Sequence, residues 1–175
     1  MRITVITPTI PGREPMLAEA EASVAAQTIK PEVHLTCLDG TGTGPAWARN
    51  LMLEQVETPW VAFLDDDDLL DRHHLDILSS GTADVRASFC RFSNEELPPQ
   101  FINRRYDRDT MRRHGIFGIT VLARLDAIVD SGCFGGERYE DWALWNRMAD
   151  NGCSFEVIPI ETWTYRIGHG NRTHA

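Results

Sequence analysis

The sequence predicts an α/β fold in which a mostly parallel central sheet is flanked by helices, built as one domain. Three observations predict it. Apolar, β-rich segments alternate three times with helical segments over the first ~80 residues, the pattern of a parallel sheet wound with crossover helices. Each strand-like segment ends in a turn rich in polar residues or chain breakers. The third, Val61-Ala62-Phe63-Leu64, runs directly into four consecutive carboxylates, Asp65 to Asp68.

The elements follow in order. Residues 3–6 form an apolar strand, closed by the breaker-dense Thr7-Pro8-Thr9-Ile10-Pro11-Gly12. Residues 13–27 read as a helix, with Leu17, Ala20, Val24 and Gln27 at helical spacing and Glu14 in the first turn. Residues 33–38 form a second strand ending in Asp39-Gly40. Gly40, Gly42 and Gly44 make a flexible loop, and Pro45 opens a helix to about residue 56 at a favoured first-turn position. The third strand covers 60–64, and Asp71 is placed to cap a helix reaching residue 78. Together these give a Rossmann-like half.

In the second half, 84–92 is expected as a strand. Residues 93–114, with Pro98-Pro99 and many charges, are expected as a surface loop with a weak strand or helix. Residues 116–123 read as a strand and 125–129 as a short helix stopped by Ser131-Gly132. Residues 140–150 read as a helix stopped by Asn151-Gly152, and 155–160 and 162–167 as two strands. The tail from 168 is polar. Residues 1–92 and 93–175 are the two halves of the expected single domain.

The chain of 175 residues is long enough to bury one sizeable core. Its 42% apolar and 25% charged residues are ordinary for a globular protein. Acids outnumber Lys plus Arg by 26 to 17, a net charge of −9, which argues against a nucleic-acid partner. No apolar run approaches the ~18–20 residues of a membrane span, and the first residues lack a signal-peptide pattern. A cytoplasmic location is therefore expected, with peripheral membrane contact left open by the arginine-rich stretch Arg104-Arg105 to Arg112-Arg113. Cys37, Cys90, Cys133 and Cys153 have no metal-like spacing and are expected as reduced, mostly buried thiols.

Crowded carboxylates repel one another, and a hard divalent cation with oxygen ligands relieves that repulsion while leaving room for substrate phosphates. Open α/β sheets place ligands at the carboxyl ends of their strands, where this chain delivers Thr7-Pro8-Thr9, Asp39 and Asp65 to Asp68. That combination reads as a metal-dependent nucleotide site. The helix opened by Pro45 offers free N–H groups to a diphosphate, and Arg49 offers its guanidinium to a diphosphate or to an acidic partner, a surface salt bridge to a glutamate being the plainer reading. Glu140-Asp141, at the start of a later helix behind the Gly-rich residues 132–136, supplies a second carboxylate of the kind a base-assisted transfer uses.

In that order and spacing, the chain resembles the family 2 glycosyltransferases of the GT-A fold over nearly its whole length. The residues that carry the resemblance are Thr7-Pro8-Thr9 with Arg13, Asp39-Gly40, and Gly44 through Ala48-Arg49-Asn50. They continue with Phe63-Leu64-Asp65-Asp66-Asp67-Asp68 (the family's DXD-type motif), Ser131-Gly132-Cys133-Phe134, Tyr139-Glu140-Asp141-Trp142 and Trp163-Thr164-Tyr165-Arg166-Ile167-Gly168-His169.

The resemblance implies transfer of one sugar from a nucleotide-diphospho-sugar, UDP-, GDP- or dTDP-linked, to an acceptor hydroxyl, with inversion and with Mn²⁺ or Mg²⁺ bound. It implies donor contacts from Thr7, Pro8, Thr9, Arg13, Asp39, Arg49, Asp65 and Asp66. Asp67 is the expected direct metal ligand, with Asp65, Asp68 and His169 as further candidates. Asp141 is the expected general base, with Glu140 beside it. The Gln-x-x-Arg-Trp motif of processive synthases is lacking, so a single transfer is expected rather than polymerisation. The acceptor is not legible.

Two other readings compete with this one. A haloacid-dehalogenase-like phosphatase needs its nucleophilic aspartate after the first strand and a catalytic lysine, and Lys30 is poorly placed for that role. A catalytically silent nucleotide-sugar or carbohydrate-binding module on the same fold would keep the strand-end acids without turning over a donor.

Overall fold

The computed structural model describes residues 1–93, 106–113 and 117–167. A single seven-stranded sheet in the order β2-β1-β3-β6-β5-β7-β4 organises them. Its strands are β1 (Ile3–Thr9), β2 (Val33–Leu38), β3 (Trp60–Phe63), β4 (Leu69–Leu70), β5 (Val85–Phe92), β6 (Val121–Arg124) and β7 (Phe155–Tyr165). The helices are α1 (Glu14–Ala25), α2 (Pro45–Leu53), α3 (His74–Ser79), α4 (Arg108–Arg113), α5 (Leu125–Asp130) and α6 (Glu140–Asp150). Among the described residues no helix is long and apolar enough to cross a membrane.

The long ladders, β1 with β2, β1 with β3 and β5 with β7, are parallel. The three short ones, β3 with β6, β5 with β6 and β4 with β7, are antiparallel. Alternation along β3 divides the interior in two. Val61 and Phe63 face a cluster closed by Met52 of α2, Ile128 of α5 and Leu144, Trp145 and Met148 of α6. Ala62 and Leu64 face the opposite side, with Ala20 and Val24 of α1 and Leu75 and Leu78 of α3.

Several expectations shift. Strand β1 does not stop at Ile6 but runs on through Thr7-Pro8-Thr9. The reason is which neighbour each residue faces. Ile6 accepts the Leu64 N–H on the β3 side, and Thr9 accepts the Asp39 N–H on the β2 side. Pro8 therefore turns its donor-less nitrogen toward β3, whose pairing with β1 has already ended at Phe63. The sheet loses no hydrogen bond, and β1 carries Thr9 past its neighbour.

Asp71 does not cap α3 through its side chain. Its carboxylate instead makes a two-pronged pair with Arg91, 2.7 Å at each prong, while its carbonyl accepts the His74 N–H. Leu69–Leu70, to which no element was assigned from the sequence, forms β4 against β7. The two strands expected over 155–167 are one, with register irregularities where Pro159 and its neighbours fall out of step with β5. Strand β6 is confined to Val121–Arg124, whereas α4 is a short helix of the kind expected within the loop segment 93–114. The four cysteines are unpaired, and all are partly rather than fully buried.

Candidate active site

The carboxyl ends of β1, β2 and β3 and the first turns of α2 and α6 enclose a cavity of about 620 Å³. Of the residues named from the sequence, Pro8, Thr9, Arg13, Asp39, Arg49, Asp65, Asp66, Asp67, Glu140 and Asp141 line it. Thr7 and Asp68 are not among its lining residues, and His169 lies outside the described residues. Thr7 is buried in β1, with its Oγ1 3.0 Å from His34 Nε2 of β2.

Asp39 organises the loop between β2 and α2. Its Oδ1 accepts the N–H groups of Thr41 and Thr43 at 3.2 and 3.1 Å and the Thr41 hydroxyl at 3.0 Å. Its Oδ2 accepts the Gly44 N–H at 2.6 Å. These donors, Gly44 first, hold the carboxyl well below its usual range, at about 2. Gly44 has φ 112°, which only glycine adopts without strain, and that turn lets the chain enter α2 at Pro45. Asp39 thus stays an anion at the wall of the cavity, with part of its Oδ2 acceptor capacity left over.

The acidic loop is sorted by its neighbours. Asp65 meets Arg49 at 2.6 Å. Asp66 accepts Thr9 Oγ1 and Arg13, both at 2.7 Å. Asp67 lies 3.2 Å from the same Arg13 nitrogen, and burial together with the charges of Asp65 and Asp66 pushes its carboxyl up to about 6. The turn closed by the Asp68 N–H on the Asp65 carbonyl carries Asp68 into the interior, where it is 2% exposed and accepts the Arg166 N–H at 3.0 Å. Burial, then the Asp65 charge, raises its carboxyl well above the ordinary value. Arg166, just beyond β7, also donates from Nε to the Asp67 carbonyl at 2.5 Å, so the end of β7 clasps the loop.

Asp141 stands across the cavity in the first turn of α6 and accepts the Trp142 N–H at 2.7 Å. Burial pushes its carboxyl up to about 6, against the opposing pull of the Arg49 guanidinium. Its neighbour Glu140 pairs with Arg49 at 2.7 Å. The wall between them and the acidic loop includes Gly135, Gly136, Arg138, Tyr139 and, from β7, Tyr165. The two tyrosines and Arg138 were not singled out from the sequence as site residues. Both tyrosines stand in the motifs that carry the resemblance, Tyr139 immediately before Glu140-Asp141 and Tyr165 immediately before the arginine that clasps the loop, whereas Arg138 gave no signal.

The donor set suits a hard cation. Asp65, Asp66 and Asp67 present only oxygens to the cavity, and the Asp67 carboxyl is raised first by burial and then by the charges of Asp65 and Asp66. Among the described residues no three acidic, histidine or cysteine side chains converge into a ready cage. Mn²⁺ or Mg²⁺ held by one or two carboxylates, with the rest of its shell from water and substrate phosphates, fits that arrangement.

No family model and no curated protein sequence matches this chain. Solved structures do. The S. aureus TarS fragment 1–349 in complex with UDP-GlcNAc aligns with a TM-score of 0.80 at 17% identity, covering 100% of this chain and 61% of that one. The same fragment in complex with UDP aligns with a TM-score of 0.75 at 18% identity, covering 96% and 61%. The mannosyltransferase PcManGT from Pyrobaculum calidifontis, in complex with GDP-Man and Mn²⁺, aligns with a TM-score of 0.70 at 13% identity, covering 97% and 58%. The chain spans about three-fifths of the length of these structures. What they share with it is the fold, and it is a fold solved with nucleotide sugars bound.

Proposed function

We propose that this chain is the catalytic domain of a metal-dependent, inverting glycosyltransferase of the family 2 type, which moves one hexosyl group from a nucleotide-diphospho-sugar to an acceptor hydroxyl. The observation that carries the reading is the convergence of Asp65, Asp66 and Asp67 with Asp141 on one cavity at the strand ends. Residues 1–92 would bind the donor and the remainder would shape the acceptor side.

Asp39, anionic and anchored, would meet the nucleoside. The N-terminus of α2 and Arg13 would face the diphosphate, the first through its free N–H groups and the second by charge. Asp67, with Asp65 beside it, would hold Mn²⁺ or Mg²⁺. When bound, the ion supplies Lewis-acid stabilisation of the charge on the departing nucleoside diphosphate. Asp141 would take the proton from the acceptor hydroxyl as its oxygen attacks the anomeric carbon. The bond to the diphosphate breaks on the opposite face, which inverts that centre. A carboxylate raised to about 6 remains ionised near neutrality yet accepts a proton better than an ordinary aspartate. The presence of Asp141 on the same cavity as the acidic loop favours an enzyme over a silent binding module, which has no use for a base.

The test is a thermal-shift screen of UDP-, GDP- and dTDP-sugars with and without Mn²⁺, followed by assay for release of the nucleoside diphosphate. A metal-dependent rise with one donor class, and turnover abolished in Asp141→Asn, is the expected result. No shift with any donor would sink the reading. Clear binding without turnover or hydrolysis would favour the module.

A further inference from the structure

The sequence offers the Arg49 guanidinium to a diphosphate or to an acidic partner, and in the structure it meets two acidic partners. The side chain is 3% exposed. One terminal nitrogen donates to Asp65 Oδ1 at 2.6 Å and the other to Glu140 Oε1 at 2.7 Å. A single residue of α2 thereby joins the loop after β3 to the first turn of α6, two segments far apart in sequence. Its carbon Cζ sits 5.4 Å from the centre of the Phe134 ring. That ring packs edge-on against Phe63 at 5.4 Å and Trp145 at 6.3 Å, so the guanidinium rests on a packed aromatic base. Its Nε has no partner among the described residues, a cost accepted to hold the fork in this position.

A planar guanidinium can serve two carboxylates through two nitrogens at fixed spacing, whereas an ammonium is a single point donor. Glu140 is the far anchor. It is adjacent in sequence to Asp141, and one oxygen of its carboxylate, Oε1, is engaged by Arg49.

We propose that Arg49 and Glu140 form a strut that fixes the spacing between the acidic loop and Asp141, and that neither contacts the donor diphosphate nor carries a proton. Both are positioning residues. Asp141 is then the single base, and the geometry of attack depends on an ion-pair bridge seated behind it. The catalytic part of this inference rests on the glycosyl-transfer reading; the mechanical part does not.

Glu140→Gln and Arg49→Lys test it, alone and combined, with the responsive sugar nucleotide and Mn²⁺. The strut predicts a donor KM within about threefold of wild type and a kcat lowered about 100-fold, the scale of a misplaced reacting group. It also predicts that the double variant is about as slow as either single one, because both break the same bridge. A donor KM that rises in Arg49→Lys at unchanged kcat would make Arg49 a diphosphate contact and overturn the proposal. So would losses that multiply in the double variant.

Amide hydrogen exchange reads the bridge without any substrate. Exchange should quicken at residues 65–68 in Glu140→Gln and at 140–143 in Asp65→Asn, while 146–150 stay as in wild type. If wild type turns over no sugar nucleotide, the transfer reading falls and exchange alone decides the strut. Unchanged exchange in both segments would end it.

Discussion

Asn50 and Phe134 exchange two hydrogen bonds across 84 positions of sequence: Asn50 Nδ2 donates to the Phe134 carbonyl at 2.8 Å, and the Phe134 N–H donates to Asn50 Oδ1 at 3.0 Å. The carboxamide satisfies a main-chain donor and acceptor at once, as a neighbouring strand would. It locks the turn before α6 onto α2, next to the residue that carries the guanidinium. Asn50→Asp should be more harmful than Asn50→Ala, because a carboxylate keeps the acceptor but sets a negative oxygen against the Phe134 carbonyl. A loss of about 1–3 kcal/mol in denaturant unfolding is expected for Asn50→Asp. Equal stability of the two variants would show that the second bond contributes little.

Asp141→Asn should keep donor binding and lose turnover by about 10²–10⁴-fold, the usual contribution of a positioned base. Because burial raises the wild-type carboxyl to about 6, kcat should be level above neutrality and fall as pH drops through about 6. An acid limb near 4 would assign proton removal to a less buried group.

Asp67→Ala should remove the Mn²⁺-dependent part of donor binding. Donor and metal at a hundredfold excess over Kd stabilise wild type by about 2.7 kcal/mol through mass action, and that increment should vanish in the variant. Without ligands the variant should be no less stable near pH 7, since it sheds a buried carboxylate crowded by Asp65 and Asp66. A metal response that survives in Asp67→Ala and disappears in Asp65→Asn would move the direct ligand by two positions.

Much of this architecture is written in local pattern. The two strand-to-acid transitions, at Asp39 and at Asp65, and the Glu140 start of α6 were legible because apolar periodicity and helix signals act over a few residues. What escaped depends on partners remote in sequence. Pro8 stays in a strand because β3 is shorter than β1, which no feature of Thr7-Pro8-Thr9 announces. Asp67 and Asp68 are chemically identical in sequence, and one turn hydrogen bond to Asp65 separates cavity from interior. The roles of Arg49 and Asn50 are set across 91 and 84 positions, distances at which composition and spacing carry no signal.

His74 gives the fold its own pH dependence, separate from the cavity. It is fully buried in α3, with Nδ1 2.7 Å from Thr162 Oγ1 and Nε2 without a partner among the described residues. Burial lowers its ring from 6.5 to about 4, against the weaker pull of Asp71. Between those values the unfolded chain binds the proton and the folded chain does not, so stability rises with pH across the window. The neutral ring's contribution is fully present above about 6.5 and is lost as pH falls toward 4, about 3 kcal/mol in all. Asp67 and Asp141 act in the opposite sense, because their raised carboxyls cost stability as pH climbs from about 4 to 6. The two effects overlap, so the total curve hides each of them. The difference between wild type and His74→Gln isolates the histidine: wild type should gain about 3 kcal/mol relative to the variant from pH 4 to 7, measured by urea unfolding at fixed ionic strength. A difference that does not change with pH would mean that the ring takes up its proton equally readily in the folded and the unfolded chain.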